Sequence, residues 1–296
     1  MRIWSWFGCL SLMVSSPLAA RDIYVDNVGG DDLLSGRVAT LEGWDGPVRT
    51  IGRALRLAEA HDRIVVANTA TPYREMVSLS GGRHSGSPTV PFVLEGNGAV
   101  LDGSAAIDPR LWSPVHGKKD VFRFRPPRMA YQQIFLEGRP LTRVPVSPQG
   151  PLPALEPLEW YLWQGHVYLR IEEGKWIDDY ALSRTDLTTG VTLYHVRHAV
   201  VLDLVVQGFQ LDGVNAHDAL HCTLHAITAR GNGRSGIAVT GASRVAIEGC
   251  LSGDNGAAQL LTDGHCIVDV LDTQLLPGTA PELLRRGGKV RRSAEE

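Results

Sequence analysis

Apolar and polar positions in the last third of the chain repeat every twenty-three residues. Val201, Leu224 and Ile247 stand twenty-three apart, and Val268 follows twenty-one later. Leu204, Ile227, Cys250 and Leu271 keep the same spacings, as do Ala199, Cys222, Val245 and Cys266. A further column runs Val214, Ile237, Leu260. A fixed period of this length marks a solenoid, in which each repeat buries its apolar face only against its neighbours. Inside each repeat the apolar residues alternate two apart, as in Ala199/Val201 and Val245/Ile247, which predicts strands. Gly231-Asn232-Gly233 and Gly253-Asp254-Asn255-Gly256 punctuate them as turns. Asn232 and Asn255 fall in equivalent turns, which predicts a ladder of amides or single left-handed residues.

The run Ser-Gly-Ile-Ala-Val-Thr-Gly at 235–241, followed by Ser-Arg-Val-Ala-Ile-Glu-Gly-Cys at 243–250, resembles the coils of a right-handed parallel β-helix of the pectate-lyase kind. The resemblance covers residues 191–274. It implies an all-β solenoid whose open end needs a cover, because bare strand edges pair with other chains. Thr50 is a plausible N-cap, and Ile51, Ala54, Leu55 and Ala58 mark one helical face, so a capping helix is expected over 51–60. Short strands are expected at 23–25, 64–67, 76–79, 92–95 and 99–101. The block Tyr24-Val25-Asp26, Gly29-Gly30-Asp31-Asp32 and Gly46-Pro47-Val48-Arg49-Thr50-Ile51 resembles the amino-terminal segment of secreted β-helix proteins related to family 9 polysaccharide lyases.

Between 105 and 190 the rhythm breaks. Prolines crowd 140–157, and Trp112, Trp160, Trp163 and Trp176 lie here with Tyr161 and Tyr168. Strand patterns at 121–124, 133–136 and 167–171 predict a β-rich insertion. The expected organisation is a signal peptide at 1–20, cap and first coils at 21–104, insertion at 105–190, coils at 191–274, and a polar, mobile tail at 275–296.

The first twenty residues read as a secretory signal: Arg2, an apolar run over 3–14 too short to span a bilayer, then Ser15-Ser16-Pro17-Leu18-Ala19-Ala20. This predicts a soluble, monomeric protein, secreted or periplasmic, with no membrane span. The chain carries 29 basic and 32 acidic residues, so its net charge of −3 becomes −4 without Arg2. That balance argues against nucleic acid as a partner. Three cysteines remain on inward columns. Cys222 and Cys266, two coils apart, would lie roughly 10 Å from each other, beyond the reach of a disulfide, so free buried thiols are expected.

The most polar patch on a coil is Leu211-Asp212-Gly213-Val214-Asn215-Ala216-His217-Asp218. Asp212, His217 and Asp218 are candidates for a general acid or base, or turn residues bonding their own backbone. His217, Thr240 and Asp263 should form one outward column beside Asn215, with Arg230 and Arg234 in the preceding turns. Arg234 is the fourth catalytic candidate, as a base or a clamp on a sugar carboxylate. Asn215, Arg230, Asp263, Trp160 and Trp163 are candidate substrate contacts, the tryptophans either stacking on sugars or filling the insertion's own core. His198, His221 and His265 look like a column too, but Arg244 between them would repel a cation, so no metal is expected there. No cofactor is called for, although Asp31-Asp32 offers a possible calcium ligand pair without a full loop motif.

The resemblance implies an exported carbohydrate-active protein with a polysaccharide as partner, either a lyase or a glycoside hydrolase. The family 9 lyases it resembles use a lysine base on the coils, and this chain has no lysine between Lys175 and Lys289. A non-catalytic glycan-binding or surface-structural β-helix protein is therefore the alternative.

Overall fold

The computed structural model describes residues 20–128, 131–147, 149–278 and 280–292. The expected signal peptide lies outside the described residues, apart from Ala20. The chain is a right-handed parallel β-helix. One wall is an eleven-stranded sheet whose main path runs Asp22–Val25, Arg63–Val66, Phe92–Asp102, Ala199–Gln207, Leu220–His225, Arg244–Glu248, Ile267–Leu271, Lys289–Arg292. A branch of the same sheet, Thr228–Arg230, Leu251–Gly253 and Gln274–Leu275, follows the far half of Ala199–Gln207. The facing wall has six strands: Val77–Ser80, Val191–Tyr194, Asp212–His217, Ser235–Thr240, Ala258–Thr262 and Leu283–Arg285. Strands within both walls pair in parallel, and their alternate side chains fill one continuous core from Ile23 to Val270 and Leu275.

The register is twenty-three through the coil that holds Val268, and the final step to Lys289–Arg292 is twenty-two. Ile247 pairs with Val270 and Val245 with Val268, so Val268 belongs to the column of Cys222, one step over from the expected one. Cys250 meets Thr273, and Leu271 points outward opposite Glu248. Inward and outward positions alternate with a period of two, so a spacing of twenty-one keeps every face correct and only the partners shift. Cys266 accordingly does not share the Cys222 column, and lies beside Ser243. All three thiols are free and buried.

The segment after 275, expected as a mobile tail, instead builds the last coil. Leu283 pairs with Leu260 and Val290 with Val268. Leu283 keeps the period and Val290 falls one residue short of it, and the surrounding arginines hide both in the sequence.

The helix runs Ile51–Leu57, three residues shorter than expected. The Thr50 side chain accepts from Arg53 N at 3.0 Å, and the Glu75 carboxylate accepts from Ile51 N and Gly52 N at 3.0 and 2.9 Å. Ile51, Ala54 and Leu55 face inward against the first strands of both walls.

Between the coils stand two four-stranded antiparallel sheets. One joins Trp160–Trp163, His166–Arg170, Val121–Phe124 and Ser113–Pro114, and the other Ser104–Ala106, Leu182–Thr185, Ile134–Leu136 and Arg139–Pro140. They carry their own apolar cores. Trp160 is wholly buried there and its Nε1 donates to the Leu141 carbonyl at 3.1 Å, which overturns it as a substrate contact. Trp163 is half-buried against Tyr168 in the second of these cores. An aromatic ring is the cheapest way for a small sheet to bury area, and the indole N–H still needs an acceptor.

Candidate functional site

Paired strands put Ser80, Tyr194, His217, Thr240 and Asp263 in one outward column of the six-stranded wall. At the usual strand spacing of ~4.8 Å, Tyr194 to Asp263 spans roughly 14 Å. Each strand then turns into the next wall through a left-handed residue. In two coils that residue is Gly241 (φ 68°) or Gly264 (φ 75°), but in the two before them it is Asp218 (φ 50°) and His195 (φ 54°). Asp and His tolerate this region better than most residues, yet glycine is the residue it favours. The result is a tight cluster of functional groups at the end of the column.

The Tyr194 ring stacks on the His217 imidazole, 5.7 Å between centroids at 19°. His195 meets Tyr194 edge-on at 4.2 Å. His217 Nδ1 is 2.8 Å from Thr240 Oγ1, and its Nε2 is 3.4 Å from Asp218 Oδ2. His195 Nε2 approaches the same oxygen at 3.8 Å. The carboxylate favours a proton on the His217 Nε2, which leaves Nδ1 to accept from the Thr240 hydroxyl. The other Asp218 oxygen accepts from Ala242 N at 2.7 Å. That backbone donor, and then the two imidazoles, hold the Asp218 carboxyl below the ordinary carboxylate range. Tyr194, His195 and His217 remain about half exposed, so the cluster is open to a ligand.

Asp212 is different. It lies on the same wall but is completely buried. It accepts from Arg234 Nε at 2.9 Å and Nη2 at 2.5 Å, from Ser235 Oγ at 2.5 Å and from Asn215 Nδ2 at 3.3 Å. The bidentate hydrogen bonding to Asp212 raises the Arg234 pKa further. Asp212 and Arg234 thus occupy each other, and neither is free to move a proton or clamp a carboxylate. Asn215 serves this pair. Asp263 is exposed, its Oδ1 accepting from Gly264 N at 2.7 Å. Ala238, Ala258 and Leu261, with Leu284, make the middle of the wall's outer side apolar.

Arg230 lies elsewhere. It pairs with Gln207 and Gly253 on the branch of the other sheet, so it does not join His217. Asp32 is also spoken for: its carboxylate accepts from Arg49 N, Thr50 N and Thr50 Oγ1. Asp31 accepts from Leu33 N two residues on, as a turn aspartate does. The expected histidine column is only a pair, with His198 and His221 rings 5.2 Å apart at 8° and His265 outside it. Among the described residues no group of three or more His, Cys, Asp or Glu has metal-binding geometry.

Tyr194 and His195 were missed from the sequence. Their signal was present: each stands twenty-three residues before a recognised candidate, His217 and Asp218. Apolar columns counted from Ala199 begin after both residues and so do not include them.

No family model matches the chain, and no curated protein matches it. Among solved structures it is similar to a GH136 lacto-N-biosidase from Eubacterium ramulus, at 12% identity and a TM-score of 0.47, covering 86% of this chain and 41% of that one. A complex of XylC with xylose gives 12% identity and a TM-score of 0.43, covering 92% of this chain and 70% of the other. Pectate lyase Pel9A gives 9% identity and a TM-score of 0.32, covering 92% and 77%. None of these likenesses bears on function, which rests on the chain's own side chains.

Proposed function

We propose that this is an exported carbohydrate-active β-helix protein that acts on a polysaccharide laid along the Tyr194–His217–Thr240–Asp263 column. The observation that supports the reading is the convergence of Tyr194, His195, His217 and Asp218 from adjacent coils on one open patch. Tyr194 offers an exposed ring face for a sugar, and His217 an imidazole held by Thr240 and Asp218, the side-chain type most used for proton transfer. Asp218 orients the imidazole and balances the charge it gains. Asp263, two coils on from His217, contacts the polymer further along. Export rests on the amino-terminal pattern of Arg2, apolar 3–14 and Ala19-Ala20. Among the described residues no helix is long and apolar enough to cross a membrane.

One observation favours the second reading, a non-catalytic glycan binder. Two of the four expected catalytic residues, Asp212 and Arg234, are bound to each other. The test is incubation of the purified protein with uronic and neutral polysaccharides. New absorbance near 235 nm marks an unsaturated lyase product, and reducing ends without it mark hydrolysis; ~235 nm is the diagnostic region for such conjugated products. For an enzyme, His217→Ala lowers turnover by ~100-fold or more. For a binder, no product forms and the same change weakens glycan affinity. Unchanged turnover in His217→Ala would remove His217 from the chemistry.

A further inference from the structure

Of the ten histidines, His84 is the one that is buried. It closes the turn after the strand Val77–Ser80. Its Nδ1 accepts from Ser80 N at 3.0 Å, and its Nε2 lies 2.9 Å from the Leu55 carbonyl on the capping helix. A backbone N–H only donates and a carbonyl only accepts, so the ring holds one proton, on Nε2. The Phe92 ring packs against the imidazole, 5.2 Å between centroids. The neighbouring elements carry Arg56 on the helix, His61 just before the strand Arg63–Val66, Arg83 in the turn itself, and His195 and Arg197 on the next coil. Arg56, Arg83, His195 and Arg197 are exposed, and among the described residues no carboxylate acts on the ring. Burial holds the imidazole pKa below the ordinary 6.5; the Leu55 bond opposes this and Arg83 adds to it.

The turn is stitched to the candidate site. Ser80 pairs with Tyr194, and Gly81 N donates to the Tyr194 carbonyl at 2.9 Å. Arg197 N donates to Ser85 Oγ at 3.1 Å, and Gly86 N to the Arg197 carbonyl at 2.9 Å. Gly81 lies so close to His195 that an added Cβ would stand 2.3 Å from the His195 carbonyl oxygen. Residues 80–86 therefore hold residues 194–197, which carry the Tyr194 ring and the left-handed His195.

We propose that His84 is an acid-sensitive latch for this turn, and through it for Tyr194 and His195. A proton from solvent has only Nδ1 to go to. There it converts an acceptor into a donor facing the Ser80 N–H, and it places a charge in a buried site with no carboxylate beside it. The charged ring leaves for water, the Ser80 bond is lost, and the turn is released from the helix. Because the closed turn favours the neutral ring, the latch is complete above 6.5, the ordinary histidine value, and is lost as pH falls below it. Asp218 titrates below 3.8, so the two windows are separate. What the latch does to a ligand at Tyr194 rests on the reading above; the latch itself does not.

Amide hydrogen exchange on the full chain, read by NMR and corrected for the intrinsic pH dependence of exchange, tests it residue by residue. Between pH ~7.5 and ~5.5 the protection of Ser80 N and Gly81 N should fall by roughly five- to tenfold, since an ordinary histidine is about tenfold more charged than neutral at the lower value. Phe209 N, on a coil with no buried histidine, should keep its protection. His84→Asn retains an acceptor near the place of Nδ1 and cannot titrate, so its Ser80 N protection, whatever the level, should be flat over the same range. Constant protection in the parent overturns the proposal, as does an equal fall in His84→Asn. A matching fall at Phe209 N would show the whole solenoid loosening and equally refute a local latch. No sugar enters these measurements, so they succeed or fail apart from the function proposed above.

Discussion

Replacing Asn232 by alanine should destabilise the solenoid more than most single changes. Asn232 is fully buried at the corner between the walls. Its Oδ1 accepts from Phe209 N at 3.1 Å, and its Nδ2 donates to Val206 O at 3.2 Å and to Asn255 Oδ1 at 3.1 Å. Asn255 in turn donates to Ala229 O at 3.1 Å and Gln259 Oε1 at 2.8 Å, so the amides form a ladder up the corner. Alanine at 232 orphans one backbone N–H and one carbonyl. Each buried unsatisfied group costs ~1–3 kcal/mol, so the loss is ~2–6 kcal/mol, with water entering the vacated space drawing it toward the lower figure. With a urea slope of about 3 kcal/mol/M, the midpoint falls by about 0.7–2 M. Asn232→Asp should cost at least as much, since a carboxylate oxygen would then face Val206 O and Asn255 Oδ1. Contacts in a solenoid are between neighbours, so amide exchange should accelerate first at Phe209 N and in the coils on either side. A midpoint within about 0.2 M of the parent, with Phe209 N still protected, would refute the reasoning.

Further outcomes are open to simple assays. Arg234→Ala should cost ~3–5 kcal/mol in chemical denaturation by leaving the buried Asp212 unpaired, whereas the double change Asp212→Ala/Arg234→Ala should cost less than the sum of the singles. Burial pushes the Cys222 and Cys250 thiols up to about 11 and raises Cys266 as well, so native protein at pH 8 should resist a thiol reagent and denatured mature protein should titrate three groups. Two titratable groups and a slow one would break the assignment. Asp218 has a depressed folded pKa, so its stabilising contribution is present at neutral pH and is lost as pH falls through a value below 3.8. Asp218→Asn should flatten that acid limb of stability, and an identical limb in the variant would contradict it.

How much was legible in the sequence depends on which physical rule governs each part. The coils were legible because burial repeats at a fixed spacing, and Val214, Ile237 and Leu260 fell where expected. The last coil was misread because alternation cannot distinguish a two-residue slip, and Leu283 and Val290 were hidden among arginines. His217, Thr240 and Asp263 could be aligned by counting. The Asp212–Arg234 pair could not, because a side chain that reaches back one coil leaves no mark on periodicity. Trp160 was ambiguous for a related reason: composition gives an indole, and only packing says whether its face is covered.

The strand Lys289–Arg292 stands at the end of the main path of the larger sheet. Among the described residues no strand pairs with its outer edge, and an open edge is a template on which a second copy can pair, Lys289–Arg292 against Lys289–Arg292. Here that strand offers Lys289, Arg291 and Arg292 within four residues, with Arg285 and Arg286 on the neighbouring wall. A second molecule docking in register would bring the same cations against these. Such tail-to-tail pairing is thus opposed by charge, and salt, which screens that repulsion over about 8 Å at physiological strength, should be what permits a dimer through this edge when the protein is concentrated.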